Sequence, residues 1–278
     1  MINTGIIKIK DDEFLEITEL IYKHSGIYFT QNKKYLLENR LSRLLHEHNF
    51  TSFKDYIYYL KYNSRGKSEL ERLINLVTIN ETYFFREKGQ IDYLVDKIIP
   101  SEIQKGKRSF KILSAACSTG EEPYSIAMAL KEKMLDTKAR FDIIGVDINT
   151  DVIKTAQEGI FRSVSFRGVD PKIIAKYFKK DGFNYYLTND IRRMVRFMQG
   201  NLTERTMFIK IGKCDVIFCR NVLIYFDVET KKKVIEHFYN SLNIPGYLFL
   251  GHSETMNRLS DKFEMNNFRT GIVYIKNK

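Results

Sequence analysis

Two carboxylates stand side by side in the stretch ILSAACSTGEEPYSIA, directly after Gly120. An apolar run ends near Ser114, Gly120 permits a tight backbone turn, and a helical stretch begins near Pro123. That is the form of a strand-to-helix turn at the ligand edge of an open α/β sheet. Only one glycine is present, so the three-glycine dinucleotide fingerprint is absent. Glu121 and Glu122 at such a turn would repel a pyrophosphate and attract a cation. S-adenosylmethionine, with a sulfonium and an ammonium but no phosphate, suits an edge of this character.

A second apolar run ends in Asp147, 27 residues after Gly120. An acidic side chain there can accept both ribose hydroxyls of an adenosine, or it can cap the helix that starts at NTDVIKTA. Asn149 or Thr150 can fill the capping role instead, which leaves Asp147 free. A third run, CDVIFC, leads into RNVLIYFD. Asn221 can hydrogen-bond a cofactor through its amide, and Tyr225 can either reach the reacting groups or pack under the sheet. Gly200, Asn201 and Leu202 precede this run and fall where an adenine would approach. In TINETYFFRE, the polar Asn80, Thr82 and Arg86 stand among Tyr83, Phe84 and Phe85. Such a segment either extends its polar groups over a cofactor or serves as a plain hydrophobic linker. His252, in LGHSE, invites an acid–base role, but Ser253 and Glu254 can fix it structurally. Cys117, Cys214 and Cys219 match no zinc spacing and give no disulfide framework, so they read as buried thiols and no metal is expected.

The elements that must position these residues follow from hydrophobic periodicity. Residues 11–80 read as helical. Phe14, Ile17, Leu20 and Ile21 share one face before Gly26, and Leu36, Leu37, Leu41, Leu44 and Leu45 form a second stripe. The opposite side of that second helix carries Lys33, Lys34, Arg40, Arg43 and His46. After Pro100, short apolar runs alternate with helical stretches, which predicts a mostly parallel sheet covered on both faces. Residues 160–200 break that rhythm and predict a small antiparallel insertion, with short strands around the turn residues Asn189 and Asp190. GIVYIKN, at the chain's end, can pair with a strand near it.

Composition narrows the partner. At 278 residues and 44% hydrophobic, the chain can bury a sizeable core. No stretch has the apolar length to cross a bilayer, and MINTGIIKIKDDEF lacks a signal core, so a cytoplasmic protein is expected. The net charge of +11 suggests an acidic partner and leaves nucleic acid, anionic lipid and acidic protein all open. From Lys154 to Lys213 there are 13 Lys and Arg against 5 Asp and Glu, whereas the first 80 residues are nearly balanced, at 12 against 10.

TINETYFFRE, ACSTGEEPYSIA, DIN with EGIF after it, GNL, DVIFCRNVLIYFD and GYLFLGHSE occur in this order across residues 78–254. In this the sequence resembles the chemotaxis receptor methyltransferases, the CheR family, and the helical segment around Gly26 and NRLSRL fits the family's N-terminal domain. The resemblance implies an all-α domain over residues 1–77 that docks on the receptor, a linker over 78–100 contributing to the active site, and a class I Rossmann-like methyltransferase domain over 101–278. An inserted β-subdomain falls at about 160–200. It implies S-adenosylmethionine as cofactor, S-adenosylhomocysteine as product, and specific glutamates on cytoplasmic helices of chemoreceptors as substrate. Asn80, Thr82, Arg86, Glu122, Asp147, Asn201, Leu202, Asn221 and Val222 fall on cofactor-binding positions. Arg86 and Tyr225 fall nearest the reaction, and Arg40 and Arg43 on the receptor-facing helix. The insertion resembles the part that grips a receptor C-terminal pentapeptide in some members, and whether it does so here stays open.

A glutamate with a pKa of about 4.3 is already ionised near neutral pH, so direct displacement at the methyl needs no strong base. Two other readings fit parts of the chain. The basic insertion suits a nucleic-acid methyltransferase, but CRNV stands where amino methyltransferases carry a four-residue catalytic motif. A non-catalytic receptor-binding protein responsive to the cofactor is the other, and the intact run of cofactor positions disfavours it.

Overall fold

The computed structural model describes residues 5–278. Residues 1–4, the start of the stretch read above for a signal sequence, lie outside the described residues. The chain divides into two compact units, one of residues 1–79 with 225–230 and one of residues 80–224 with 231–278.

The first unit is built from four helices: α1 (Asp11–Ser25), α2 (Lys34–Glu47), α3 (Phe53–Tyr62) and α4 (Gly66–Val77). Each boundary has a local cause. Asp11, Asp12 and Glu13 crowd the first turn of α1, where the helix dipole favours anions, and Gly26 ends it at φ 77°. Ser52 caps α3 by accepting the Asp55 N–H at 3.2 Å. Gly66 starts α4 where a Cβ would lie 2.3 Å from the Leu60 carbonyl oxygen. The apolar stripes meet in a core of Phe14, Ile17, Ile21, Leu37, Leu41, Leu45, Phe53 and Tyr56, all buried. Residues 225–230 belong to this unit: the Tyr28 N–H donates to the Tyr225 carbonyl at 2.9 Å, and the Tyr22 hydroxyl donates to Asp227 at 3.1 Å.

The second unit opens with α5 (Lys88–Tyr93), a π-helical turn (Leu94–Ile98) and α6 (Ile99–Gln104). There follow β1 (Ser109–Ala115), α7 (Glu121–Glu132), β2 (Arg140–Asp147) and α8 (Thr150–Glu158). A small antiparallel sheet comes next, ordered β3-β5-β4, from β3 (Ile160–Phe161), β4 (Phe178–Asp181) and β5 (Asn184–Leu187), with α9 (Pro171–Tyr177) between its first two strands. The unit closes with α10 (Asn189–Arg192), β6 (Val195–Gln199), α11 (Arg205–Ile211), β7 (Cys214–Cys219), α12 (Val228–Ser241), β8 (Leu242–Leu250), β9 (Glu264–Phe268) and β10 (Gly271–Lys276). The first turn of α12 lies in the segment that joins the helical unit.

The main sheet runs β6-β2-β1-β7-β8-β10-β9. Its first five strands are parallel, and β10 returns antiparallel to β8 and β9. β7 is buried along its whole length, which is why it reads as a continuous apolar run. From β1 the chain first builds outward through β2, then returns to the other side of β1 as β7. The strand order reverses there, and ligands of open α/β sheets bind in the crevice beyond the strand ends at that reversal.

Two elements differ from the sequence expectation. Asn189 and Asp190 open a helical turn, α10, in which the Thr188 carbonyl accepts the Ile191 and Arg192 N–H groups and Ile191 is fully buried. The strand after it, β6, therefore joins the edge of the main sheet parallel to β2 and is not part of the small antiparallel sheet. β9 has no counterpart in the sequence reading, because EMNNF is largely exposed and lacks an apolar alternation.

Candidate functional site

The parallel register brings four strand ends together. Ala115 of β1 pairs with Val146 of β2 on one side and Cys219 of β7 on the other, and Asp147 pairs with Gln199 of β6. Beyond this line lie Ala116 to Gly120, Ile148, Gly200 to Leu202, and Arg220 to Leu223. Within the second unit the fold thus gathers Glu122, Asp147, Asn201, Leu202, Asn221 and Val222 along one edge of the sheet.

The turn after β1 is tightly wound. Ala116, Ser118 and Gly120 all have positive φ, and Gly120 reaches 94°. A Cβ at Gly120 would lie 3.0 Å from Ala156 and 3.1 Å from the Phe197 ring, so conformation and space both call for glycine. The two carboxylates that follow diverge. Glu121 is buried and accepts hydroxyl hydrogen bonds from Thr119 at 2.6 Å and Ser165 at 2.9 Å, and burial raises its pKa. Glu122 stays at the edge, where it accepts from the Ser114 hydroxyl and the Arg220 Nε, both at 2.6 Å.

Asp147 is 6% exposed. One carboxylate oxygen accepts the Ser118 N–H at 2.8 Å and the other the Asn149 N–H at 3.0 Å. Burial raises its pKa, while these backbone donors pull the other way. With the Ile148 N–H as a third backbone donor, the carboxylate keeps about one of its roughly four acceptor positions for a further donor. Asn149 caps α8 by accepting from the Asp151 and Val152 N–H groups, so Asp147 is spared that role.

The TINETYFFRE segment is pinned on two sides. The Phe84 N–H donates to the Ser165 carbonyl at 2.8 Å, and the Phe85 N–H to the Ser125 hydroxyl of α7 at 2.9 Å. The Phe84 ring is buried among Phe161, Phe166 and Phe178, with centroids 4.7 to 5.1 Å away. Burying one such ring stabilises by about 1.5–3 kcal/mol, which offsets part of the cost, about 1–3 kcal/mol each, of the left-handed backbone at Phe85 and Glu87 on either side of Arg86. The Asn80 carbonyl accepts the Ser118 hydroxyl at 3.1 Å, which ties the start of the segment to the β1 turn. Arg86 is half-buried and donates to the Glu81 carbonyl at 2.9 Å.

Tyr225 belongs to the helical unit through its carbonyl bond with Tyr28. Arg40 is half-buried and donates to the Val77 carbonyl at 2.6 Å, at the C-terminus of α4. Arg43 is exposed and pairs with Glu47 of the same helix. His252 is exposed, its ring within 3.3 Å of the Thr270 carbonyl. All three cysteines are buried, and burial raises their pKa values.

The family description "CheR methyltransferase, SAM binding domain" matches residues 80–272, and "CheR methyltransferase, all-alpha domain" matches residues 12–78. The chain belongs to the CheR methyltransferase family. It is 40% identical to chemotaxis protein methyltransferase 2 of Vibrio cholerae over 97% of its own length and 94% of the relative's. It is 38% identical to the chemotaxis protein methyltransferase of Borreliella burgdorferi, over 90% of each chain. The Escherichia coli chemotaxis protein methyltransferase is 33% identical, over 94% of this chain and 91% of that one.

The CheR domain is a Rossmann-like S-adenosylmethionine-binding fold with a small β-subdomain. Its edge fits that cofactor by chemistry as well as by family. A buried carboxylate with spare acceptor capacity ends β2, and the β1 turn leads into two carboxylates with no cationic side chain among residues 116–123 to hold a phosphate. Among the described residues no group of three or more His, Cys, Asp and Glu could hold a metal ion.

Two residues at this edge escaped the sequence reading. Arg220 is 8% exposed; besides Glu122 it bonds to Gln90 Oε1 at 3.2 Å and lies 3.7 Å from the Glu87 carboxylate. The signal was present: a charged residue directly after a six-residue buried run must bring its counter-charge with it. Glu254, read above as able to fix His252, instead accepts four backbone N–H groups from two loops, and nothing in GHSE shows that three of these partners lie some thirty residues earlier.

Proposed function

We propose that this CheR-family enzyme esterifies specific glutamate side chains on the cytoplasmic helical region of chemoreceptors, as a step in chemotactic adaptation. Residues 1–77 would dock on the receptor, 78–100 link the domains and enter the site, and 101–278 carry catalysis. Family membership over nearly the whole chain carries this reading. The available chemistry supports it, because the site offers an arginine and no histidine–carboxylate base among the residues read as functional.

S-adenosylmethionine, when bound, supplies a methyl group on a positively charged sulfur, which a carboxylate oxygen can displace directly. Glu122 would hold the cofactor's ammonium, Asp147 its ribose hydroxyls, and Asn201 and Leu202 its adenine. Asn80, Thr82, Asn221 and Val222 would line the remaining edge. Arg86 would bind one oxygen of the substrate carboxylate and leave the other to react, a geometric contribution, since a clamp on both oxygens would stabilise the ground state. Its bond to the Glu81 carbonyl spends one N–H and fixes the guanidinium without exhausting its donors. Tyr225 would orient the same carboxylate through its hydroxyl. A glutamate that is already ionised needs only alignment and removal of water.

On the helical unit, Arg43 is the better placed of the two candidate receptor contacts, because Arg40 is committed to the end of α4. No helix among the described residues is long and apolar enough to cross a membrane, and we place the enzyme in the cytoplasm, where its substrate helices lie. The experiment is Arg86→Ala, with turnover on a receptor fragment and S-adenosylhomocysteine affinity measured separately. Turnover should fall by far more than affinity. Equal losses in both would remove Arg86 from the reaction and leave it a cofactor ligand only.

A further inference from the structure

The segment after β8 carries a carboxylate that the reaction does not use. Glu254 Oε2 accepts the Asn221 N–H and the Gly251 N–H, both at 2.8 Å, and Oε1 accepts the Val222 N–H at 2.9 Å and the Leu223 N–H at 2.7 Å. Three of these four donors are consecutive residues of the loop leaving β7. That loop contains a strained position, since Asn221 has φ 59° and is not glycine. Strain of this kind persists only where the surroundings over-determine it. The surroundings here include the Glu254 side chain and Gly251, beside the ion-paired Arg220 and the buried Leu223. A Cβ at Gly251 would lie 2.8 Å from both the Asn221 nitrogen and Glu254 Oε2, so Gly251 leaves the space in which the carboxylate meets the loop. The far side of the segment is held as well, with Met256 buried and its N–H donating to the Tyr274 hydroxyl of β10 at 3.3 Å.

Successive backbone N–H groups converging on one point make an anion-binding nest. In this loop the chain's own carboxylate fills the nest. We propose that Glu254 is a positioning residue for methyl transfer: it fixes the Arg220–Leu223 loop so that Asn221 and Val222 present their cofactor-binding groups at the sheet edge. This rests on the reading of Asn221 and Val222 as cofactor-lining residues. A carboxylate is required, because four donors need two accepting oxygens. Glutamine accepts through one oxygen only, and two of the N–H groups would then face an NH2 group. Aspartate keeps both oxygens but withdraws them by one methylene.

The test uses the full chain and S-adenosylhomocysteine as the probe. Calorimetric affinity, the melting temperature of the cofactor-free protein and the kcat and KM for S-adenosylmethionine are measured for Glu254→Gln, Glu254→Asp, Gly251→Ala and Asn221→Ala. Glu254→Gln should weaken affinity by about 10- to 100-fold, because cofactor binding must then order a loop that the side chain no longer holds. Glu254→Asp should fall between it and the parent, and Gly251→Ala should weaken binding by crowding the same two atoms. Parental affinity in Glu254→Gln beside a weakened Asn221→Ala would overturn the positioning role alone. A Glu254→Gln protein that melts lower yet binds at parental strength well below its melting temperature overturns it too, since the bond would then serve stability only. Parental affinity in Asn221→Ala overturns the underlying reading of that residue, whatever Glu254 does. If Glu254→Gln does not fold, Glu254→Asp and Gly251→Ala carry the same comparison.

Discussion

Replacing Arg220 by methionine isolates the charge balance beneath the cofactor edge. The guanidinium side chain is 3% exposed and donates to Glu122 at 2.6 Å. It also bonds to Gln90 Oε1 at 3.2 Å and faces the Glu87 carboxylate at 3.7 Å. Methionine keeps most of the length and fills most of the space, so little of the loss comes from a cavity. What remains is a nearly buried Glu122 with one hydroxyl donor, Ser114, and a Glu87 whose Oε2 already lacks a hydrogen-bond donor. Removing one partner of a buried ion pair typically costs about 3–5 kcal/mol, because the other charge is left uncompensated. Arg220→Met should therefore lose stability in that range. The double variant Arg220→Met with Glu122→Gln removes the orphaned charge and should regain about half of the loss or more. The assay is urea unfolding of the cofactor-free protein followed by far-UV circular dichroism, since the chain has no tryptophan to report by fluorescence. A single variant within about 0.5 kcal/mol of the parent, or a double variant as damaged as the two singles combined, would refute the reasoning.

Three further variants test particular contacts. Burial holds the folded-state pKa of Glu121 above its unfolded value, so ionising it costs stability above that raised pKa. The cost fades as pH falls through the folded value toward the unfolded one. Glu121→Gln, which removes the charge and keeps an acceptor, should thus raise the urea midpoint at neutral pH, with the gain shrinking at mildly acidic pH; a gain independent of pH would contradict the assignment. Arg40→Ala removes a charged donor from the Val77 carbonyl and should cost about 1–2 kcal/mol by thermal unfolding, whereas Arg43→Ala, whose ion pair is exposed, should change stability by less than about 0.5 kcal/mol and instead weaken binding of a receptor fragment.

What the sequence disclosed and what it hid have physical reasons. The parallel strands were legible because burial on both faces makes them continuous apolar runs, as in CDVIFC. Asp147 stood out at a strand end because a separate cap, Asn149, takes the start of α8, but its hold on the Ser118 N–H of the β1 turn could not be read from sequence. β6 was misplaced because VRFMQ, as an edge strand, looks the same in sequence whether it joins a small hairpin or the main sheet. The divergence of Glu121 and Glu122 was hidden as well. Neighbouring residues on a helix start point apart, but which of them turns inward depends on Ser165, forty-four residues away. Glu254 was hidden for the same reason, since three of its four partners are backbone groups of a distant loop and backbone groups carry no residue type.

The most direct test of the proposed function is to incubate the purified protein with methyl-labelled S-adenosylmethionine and a chemoreceptor cytoplasmic fragment from the same source. Modified residues are mapped by mass spectrometry. Base-labile methyl esters at specific glutamates are expected, and they should vanish with Arg86→Ala. Cofactor binding without transfer to any glutamate, or label that survives mild base, would contradict a glutamate methyl-ester function.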